Sequence, residues 1–421
     1  MPHSRSAPIG FTVMIRTDLK ERMVILGALT VIIACLCPQV ALADAADTIN
    51  FTAGVTQQRD SNIFRLADGV DPRPLVGNSA RADTMTTGTF GARVRKAYSL
   101  QQFEGDLSRV SSRYDTYTHL NNEADNARAV WRWQATPHLT GNLTFNRTQF
   151  PIGFADYANY STQNMRTITT QRLDADWNPF RNGWHLRGGV ERTKTHNSRA
   201  FVQDEGTSIV GADLGVRLVF PSANWVELIT LGRNGTYLGR SLDTANQRDT
   251  GFRNRRTELR ARWMGGKSVV EGSVGYASRN HDHFSNRNHS GAVGSISWTW
   301  APASTLALVT MWKRDLVSYL DAISSYYRQD VISIGPVWQA SAKLKLSVKF
   351  DHTRRDFRGA VTSLPFIARQ DRSNSMQIGA EWTPLRALTL GAHYIENKRD
   401  SSLPFGDFAA RTVGFSLRFD F

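Results

Sequence analysis

The sequence holds two cysteines in 421 residues, Cys35 and Cys37, and both fall within the first 43 positions. Beyond residue 43 there is no thiol, so disulfides and cysteine-ligated metals are excluded as sources of stability. Long apolar runs are nearly as scarce. A membrane-crossing helix needs about 20 consecutive apolar residues, and one stretch, Met23 to Cys37, approaches that length. A bundle of membrane helices is therefore excluded. Enzyme signatures are missing too. There is no Gly-x-Ser-x-Gly, His-Glu-x-x-His or phosphate-cradling glycine loop, so no catalytic residue is assigned. A site assembled from distant strands would leave no such local motif. His281-Asp282-His283 offers two imidazoles to a metal, but it sits in a polar stretch beside arginine and asparagine and reads better as a solvated loop. No metal or other cofactor is expected.

What is present begins with an export signal. The Met23–Cys37 run follows Lys20 and Arg22 and leads to Val40-Ala41-Leu42-Ala43 before Asp44. A basic start, an apolar middle and an Ala-x-Ala site predict a signal peptide over residues 1–43, cleaved after Ala43. Met14 serves equally well as the start. Ile32-Ile33-Ala34-Cys35 resembles a lipoprotein box that would leave a lipidated Cys35, but apolar sequence continues past it to the better Ala-x-Ala site. Residues 44–421 contain no linker or low-complexity tract and read as one domain. An exported chain without disulfides needs another source of stability, and a closed hydrogen-bonded sheet supplies it.

Charge is lopsided. The net value is +14, from 51 Lys and Arg against 37 Asp and Glu. Residues 1–43 carry Arg5, Arg16, Lys20 and Arg22 against Asp18 and Glu21, so the remainder keeps +12. Such an excess suits anionic partners: nucleic acid, lipopolysaccharide or an acidic polymer. Placement decides among them, and period-two alternation governs placement. Val413, Phe415, Leu417, Phe419 and Phe421 alternate with Thr412, Gly414, Ser416, Arg418 and Asp420. Leu259, Ala261 and Trp263 alternate with Glu258, Arg260 and Arg262, and Leu344, Leu346, Val348 and Phe350 alternate with Lys343, Lys345, Ser347 and Lys349. This is the pattern of strands with one face in lipid and one in water. Cations that alternate with apolar residues form no continuous patch, so nucleic-acid binding is not expected.

A second rhythm is an aromatic residue, a turn and a new strand, as in Trp177-Asn-Pro, Trp300-Ala-Pro and Trp382-Thr-Pro. Its spacing of roughly 35 to 45 residues fits one membrane hairpin with its loop. A propeller blade has a similar repeat but needs four short strands where these units hold two long ones. Trp or Tyr at the strand ends matches an interfacial girdle. The expected architecture is all-β: a transmembrane antiparallel up-and-down barrel of about 18 strands, with 16 as the alternative count. The strands are placed at 47–57, 84–97, 99–113, 124–136, 137–148, 164–177, 182–195, 206–220 and 223–234. They continue at 252–264, 267–280, 289–302, 304–316, 326–340, 342–356, 373–384, 386–398 and 408–421. Tight turns follow even-numbered strands, on the periplasmic side if both termini are there, and long loops such as 58–83, 149–163, 235–251 and 357–372 face outward.

By parity Arg93, Arg95, Arg128, Arg132, Arg172, Arg187, Arg217, Arg260, Arg262, Lys343, Lys345, Lys349 and Arg418 face a lumen. Asp174, Asp176, Glu191, Asp213, Glu258 and Asp420 share that face. One reading is an electropositive channel for anions or acidic sugars. The other is arginine–carboxylate pairing that stiffens the wall. The number of cations favours the first. Tyr114, Tyr117, Phe154, Tyr157, Tyr160, Tyr326 and Tyr327 fall in or near outer loops, either as sugar-stacking platforms or, the preferred reading, as ordinary rim aromatics.

Four segments carry a family resemblance. They are Arg59-Asp60-Ser61-Asn62-Ile63-Phe64-Arg65 after the first strand, Trp131-Arg132-Trp133, Phe154-Ala155-Asp156-Tyr157, and the last strand ending in Phe421. With these the chain resembles, across residues 44–421, the EpsL-type outer-membrane proteins of exosortase B (PEP-CTERM) exopolysaccharide loci. Asp60, Asn62, Phe64 and Arg65 are the most specific part. The resemblance implies a Gram-negative outer-membrane channel for export or assembly of a secreted polysaccharide, acidic if the lumen is basic, and no enzyme. The implied partners are outer-membrane lipid and lipopolysaccharide, the polysaccharide itself, periplasmic export components, and the barrel-assembly machinery through the Phe421 strand. A general or small-anion porin is the first alternative, and a plugged barrel with an enzymatic or structural role the second.

Overall fold

The computed structural model describes residues 48–156, 161–179, 183–199, 206–319, 324–359 and 369–421. The expected signal segment with Ala43, Cys35 and Cys37, and also Tyr157 and Tyr160, lie outside them. The alternating segments become eighteen strands: β1 (Ile49–Asp60), β2 (Asp83–Tyr98), β3 (Gln101–Tyr114), β4 (Asn122–Thr136), β5 (Leu139–Pro151), β6 (Met165–Trp177), β7 (Trp184–Asn197), β8 (Thr207–Val219) and β9 (Trp225–Tyr237). They continue as β10 (Gly251–Gly265), β11 (Ser268–His281), β12 (His289–Ala303), β13 (Leu306–Ser318), β14 (Tyr326–Gln339), β15 (Leu344–Arg358), β16 (Gln370–Leu385), β17 (Leu388–Ser401) and β18 (Phe408–Asp420). Every strand pairs antiparallel with its neighbours in sequence, and β1 pairs with β18, so the sheet is a closed barrel of 18 strands. Closure leaves no unpaired edge, which is what a sheet in hydrocarbon requires. Among the described residues no helix is long and apolar enough to cross a membrane.

Register carries one face all the way round. Cross-strand partners share a face. Val55 opposes Leu417, Leu107 opposes Ala127, Leu143 opposes Leu173, Leu228 opposes Leu259, and Trp338 opposes Leu346. Of these, Val55, Leu107, Leu143, Leu173, Leu228, Leu259 and Trp338 are exposed. On the other face side chains reach past an intervening strand, as Arg172 on β6 does to Asp213 on β8 and Arg187 on β7 to Glu227 on β9. Side chains converge like that on the concave side of a curved sheet, so the charged face is the inner one. The outer face is an apolar band too large for a water-soluble monomer and is a surface for lipid.

The short turns lie at one end of the barrel, and Trp131, Trp177, Trp184, Trp263, Trp338 and Trp382 stand on the outer face there, each exposed. Trp225 departs from that girdle: it points inward, where the Arg217 guanidinium stacks on its ring at 4.2 Å. Trp133 lies over Gly141 so closely that a Cβ on Gly141 would come within 2.3 Å of the ring. The Trp-x-Pro turns have a further consequence. Pro302 and Pro384 cannot donate to the ladder, and the register shifts there, between Trp300 and Ala303 and between Trp382 and Leu385. A lysine from the preceding turn caps each freed carbonyl: Lys267 Nζ donates to Pro302 O at 2.5 Å and Lys343 Nζ to Pro384 O at 2.9 Å. Lys343 thus sits in the turn before β15, not on the lumen face, which corrects its parity assignment.

Candidate functional site

Apart from Lys343, the cations assigned to the lumen by parity are on the inner face, and nearly all of them have carboxylate partners. Arg93 meets Asp106 at 2.5 Å, Arg128 meets Asp106 at 3.4 Å, and Arg132 meets Glu104 at 3.1 Å. Arg172 forms a fork on Asp213 at 2.7 and 3.0 Å. Glu227, 1% exposed, lies within 2.5 Å of Arg187, 3.4 Å of Arg217 and 3.9 Å of Arg260. Glu258 takes hydrogen bonds from Arg256 at 2.7 Å and Arg260 at 2.6 Å. Arg262 pairs with Glu271 at 3.1 Å, Lys345 with Glu381 at 2.6 Å, Lys349 with Asp351 at 2.9 Å and Arg418 with Asp420 at 3.1 Å. Of the group, Arg95 has no carboxylate within 4.0 Å among the described residues. The wall is therefore a ladder of paired charges, the arrangement of the second reading. Sequence favoured the first because several of the partners come from other strands: Glu227, Glu271 and Glu381 carry no local mark of whom they meet.

The long-loop end holds the feature that most constrains passage. A barrel of 18 strands spaced about 4.8 Å and tilted by about 40° is about 36 Å across its backbone, too wide for facing side chains to meet. Asp156, in the short 3-10 turn Phe154–Asp156 between β5 and β6, nevertheless takes hydrogen bonds from Arg355 Nη1 on β15 at 2.9 Å and Arg399 Nη1 on β17 at 3.1 Å. By the shorter way round, β18, β1, β2, β3 and β4 stand between β5 and β17. Residues Phe154–Asp156 must reach into the bore to make that contact. Its receiving arginines are braced: Arg399 donates from Nε to Gly406 O at 2.7 Å and lies over Phe408 at 4.8 Å, and Arg355 lies over Tyr327 at 5.2 Å.

The near end of this strap is anchored by the segment after β1. Asp60 accepts the Asn62 backbone N–H at 2.8 Å, a two-pronged contact from Arg65 at 2.8 and 2.7 Å, and the Thr412 hydroxyl at 3.1 Å. Asn62 in turn donates to Leu66 O and Ala409 O. This turns the chain inward and buries Phe64 against Tyr117 at 4.8 Å and Phe154 at 4.9 Å, with Leu120 completing a small core inside the mouth. Asp83 holds the β3–β4 loop by accepting the backbone N–H groups of Thr116 and Tyr117, both at 2.9 Å. The loop aromatics are thus packed on other rings rather than offered to a ligand: Tyr117 and Phe154 here, Tyr326 on His289 at 4.3 Å, and Tyr327 on Phe357 at 5.0 Å.

Within the His281-Asp282-His283 segment, His283 ties two loops together. Asp249, wholly buried in the β9–β10 loop, accepts the His283 ring N–H at 2.8 Å and the backbone N–H groups of His283 at 2.7 Å, Phe284 at 3.2 Å and Thr250 at 2.7 Å. Burial opposes ionisation of this carboxyl, but those hydrogen bonds outweigh it and hold the pKa at about 2, below the ordinary 3.8. A depressed carboxylate stabilises the fold above its unfolded pKa and loses that contribution as pH falls through the folded one. The tie between the β9–β10 and β11–β12 loops is therefore complete above about pH 4 and weakens from pH 3.8 towards 2. Amide protection at His283 and Phe284 is expected to fall in that window, and Asp249→Asn to show the reduced protection already at neutral pH. Protection unchanged in the variant would refute the tie.

A family model described as "Putative beta-barrel porin 2" matches residues 264–421, from the end of β10 to the C-terminus. No curated protein matches the chain. Among solved structures, Pseudomonas aeruginosa OccK2 (OpdF) is similar at 11% identity over 88% of this chain and 97% of that one, with a TM-score of 0.50. OccK9 (OpdG) of the same organism gives 11% identity, 89% and 98% coverage and a TM-score of 0.50. The outer membrane protein OpdK, also from Pseudomonas aeruginosa, gives 11%, 89%, 99% and 0.47. At such identity the likeness speaks for architecture, and the architecture is plain: the chain has the closed antiparallel 18-strand barrel fold of outer-membrane porins.

Proposed function

We propose that the protein is a bacterial outer-membrane channel that passes small hydrophilic solutes through a mouth narrowed by the Phe154–Asp156 strap. The observation that carries this reading is the Asp156 bridge to Arg355 and Arg399, which divides a bore otherwise wide enough for large solutes. Paired charges of both signs on the wall favour hydration of the lumen without the strong field of a bare arginine ring, so discrimination between anions and cations is weak and slightly favours anions. The porin-like fold supports a non-enzymatic role. Assembly would use the β18 strand, with Phe421 following it, as the segment read by the barrel-assembly machinery.

A second reading, the conduit for a secreted polysaccharide with periplasmic export components as partners, is favoured by one observation. The residues of the EpsL-type resemblance, Asp60, Asn62, Phe64 and Arg65, are those that anchor the strap. Planar-bilayer recording separates the two. The first reading expects discrete conductance steps in potassium chloride, a small anion preference in a salt gradient, and no block by acidic oligosaccharide at low concentration. Block by oligosaccharide but not by the monosaccharide would favour the second, and negligible conductance would overturn both.

A further inference from the structure

The charge excess of the chain has its centre outside the lumen. On the inner wall cations and carboxylates nearly match. On the outer face of the long-loop half, arginines and lysines greatly outnumber carboxylates, whereas among the described strand residues of the short-turn half the outer face carries a single charge, Lys96. Several outer cations of the long-loop half are paired, as Arg314 is with Asp330 at 2.6 Å. Six are exposed and make no ion pair among the described residues: Arg59, Arg147, Arg192, Lys194, Arg255 and Arg372.

Depth matters as much as sign. Arg147 is the first outward position beyond Phe145, and Arg192 the first beyond Val190. One outward step along a strand is about 7 Å, so these guanidinium groups stand where hydrocarbon gives way to headgroups. Arg147 and Lys194 flank Thr169 on one rung across β5, β6 and β7, with Arg192 beside Gln171 on the rung below. The Cα atoms of Arg147 and Lys194 are thus about two strand spacings, roughly 10 Å, apart, a gap that admits a phosphate contacted from both sides. On β15 and β16, Arg354 and Arg372 stand directly opposite each other; Arg354 is paired with Asp356 at 2.9 Å, while Arg372 makes no ion pair among the described residues.

We propose that this outer collar binds a phosphorylated lipid of the leaflet at the long-loop end, one carrying two phosphates on a sugar headgroup, through Arg147, Arg192 and Lys194. The two-sided asymmetry argues for such a lipid over an ordinary phospholipid: a zwitterionic headgroup carries one phosphate with a compensating cation and would call for no excess at one end. The inference rests on the membrane placement proposed above, but it is read by lipid retention and not by conductance, so the two fail separately.

The test is native mass spectrometry of the folded barrel released from detergent micelles doped with diphosphoryl lipid A, monophosphoryl lipid A or phosphatidylcholine, with parallel titrations in inorganic phosphate. Wild type is expected to retain diphosphoryl lipid A most strongly, the monophosphoryl form less, and phosphatidylcholine not at all. Each basic residue near a charged surface contributes to attraction independently of packing, so Arg147→Gln/Arg192→Gln/Lys194→Gln should weaken diphosphoryl retention by about a hundredfold. Arg262→Gln on the inner wall should leave it unchanged. Folding of each variant is read from heat-modified gel migration, and Arg147→Gln/Lys194→Gln, which removes both sides of the proposed phosphate contact, serves as a second collar variant if the triple one does not fold. Equal retention in wild type and collar variants, equal retention of phosphatidylcholine, or displacement by millimolar inorganic phosphate would overturn the proposal.

Discussion

Asp156→Ala is expected to raise single-channel conductance and shorten closed intervals, because it cuts the strap from the far wall. Two charge-assisted hydrogen bonds are lost, those from Arg355 at 2.9 Å and Arg399 at 3.1 Å. Each is worth about 1.5–3 kcal/mol before solvent screening. Asp156 is 39% exposed in its side chain, so the lower part of that range applies and the strap-released population should rise by roughly tenfold. Arg399 keeps its bond to Gly406 O and stays in place, so the change is local. Asp156→Asn retains an acceptor and should fall between wild type and alanine. Phe154→Ala removes the ring packed on Phe64 and should release the strap from its near end with the same electrical signature. High salt should move wild type towards the alanine variant, since screening weakens the exposed part of the pair. If both variants conduct as wild type does, the strap does not set the size of the opening.

The sequence made the wall of the barrel readable and left its mouth obscure, for physical reasons that particular residues illustrate. Strands announce themselves wherever one face meets hydrocarbon, because hydropathy then alternates with the pleat. All eighteen expected strands are found, and the short turns fall after the even-numbered ones. Odd-numbered strands start up to two residues later than expected at the short-turn end, and the largest errors sit at the long-loop end, where β1 runs on to Asp60, β5 to Pro151 and β15 to Arg358, two or three residues past the expected ends. There the outer face carries Arg59, Arg147 and Arg354, so the hydropathy pattern stops while the hydrogen-bond ladder continues. Sidedness was legible for Arg172 but its partner was not, since Asp213 lies two strands away and meets it only through barrel curvature. The charge excess was legible in amount and misplaced in position: a polar residue facing outward beyond the lipid band looks in sequence like one facing the lumen. The strap was beyond reach. Asp156 meets residues 199 and 243 positions along the chain, and nothing in the local pattern marks that contact.

Glu227→Ala is expected to be the most damaging single change in the inner wall. Glu227 is 1% exposed and faces Arg187, Arg217 and Arg260 together. Arg187 keeps Asp176 at 3.2 Å and Arg260 keeps Glu258 at 2.6 Å, but Arg217 loses its carboxylate. Stranding one partner of a buried pair costs about 3–5 kcal/mol, and the partial exposure of Arg217 places the loss at the lower end of that range. The stacking of Arg217 on Trp225 at 4.2 Å keeps that guanidinium from swinging away to water, so relaxation cannot recover much of the loss. Glu227→Gln retains the shape and an acceptor oxygen and should cost less. The pair Arg262–Glu271, at 3.1 Å but with Glu271 56% exposed, is the internal comparison: Glu271→Gln should cost about 0–1 kcal/mol. Urea midpoints of the folded barrel, followed by tryptophan emission, rank the three variants. The same cluster predicts a change in permeation, since loss of a carboxylate among three arginines adds net positive charge to the bore and should raise the chloride-to-potassium permeability ratio for Glu227→Ala and Glu227→Gln alike. Stability that falls for alanine while the ratio stays fixed in both variants would mean that ions pass at a distance from this wall; an unchanged midpoint in alanine would mean that water reaches the arginines and that the ladder contributes little to the barrel.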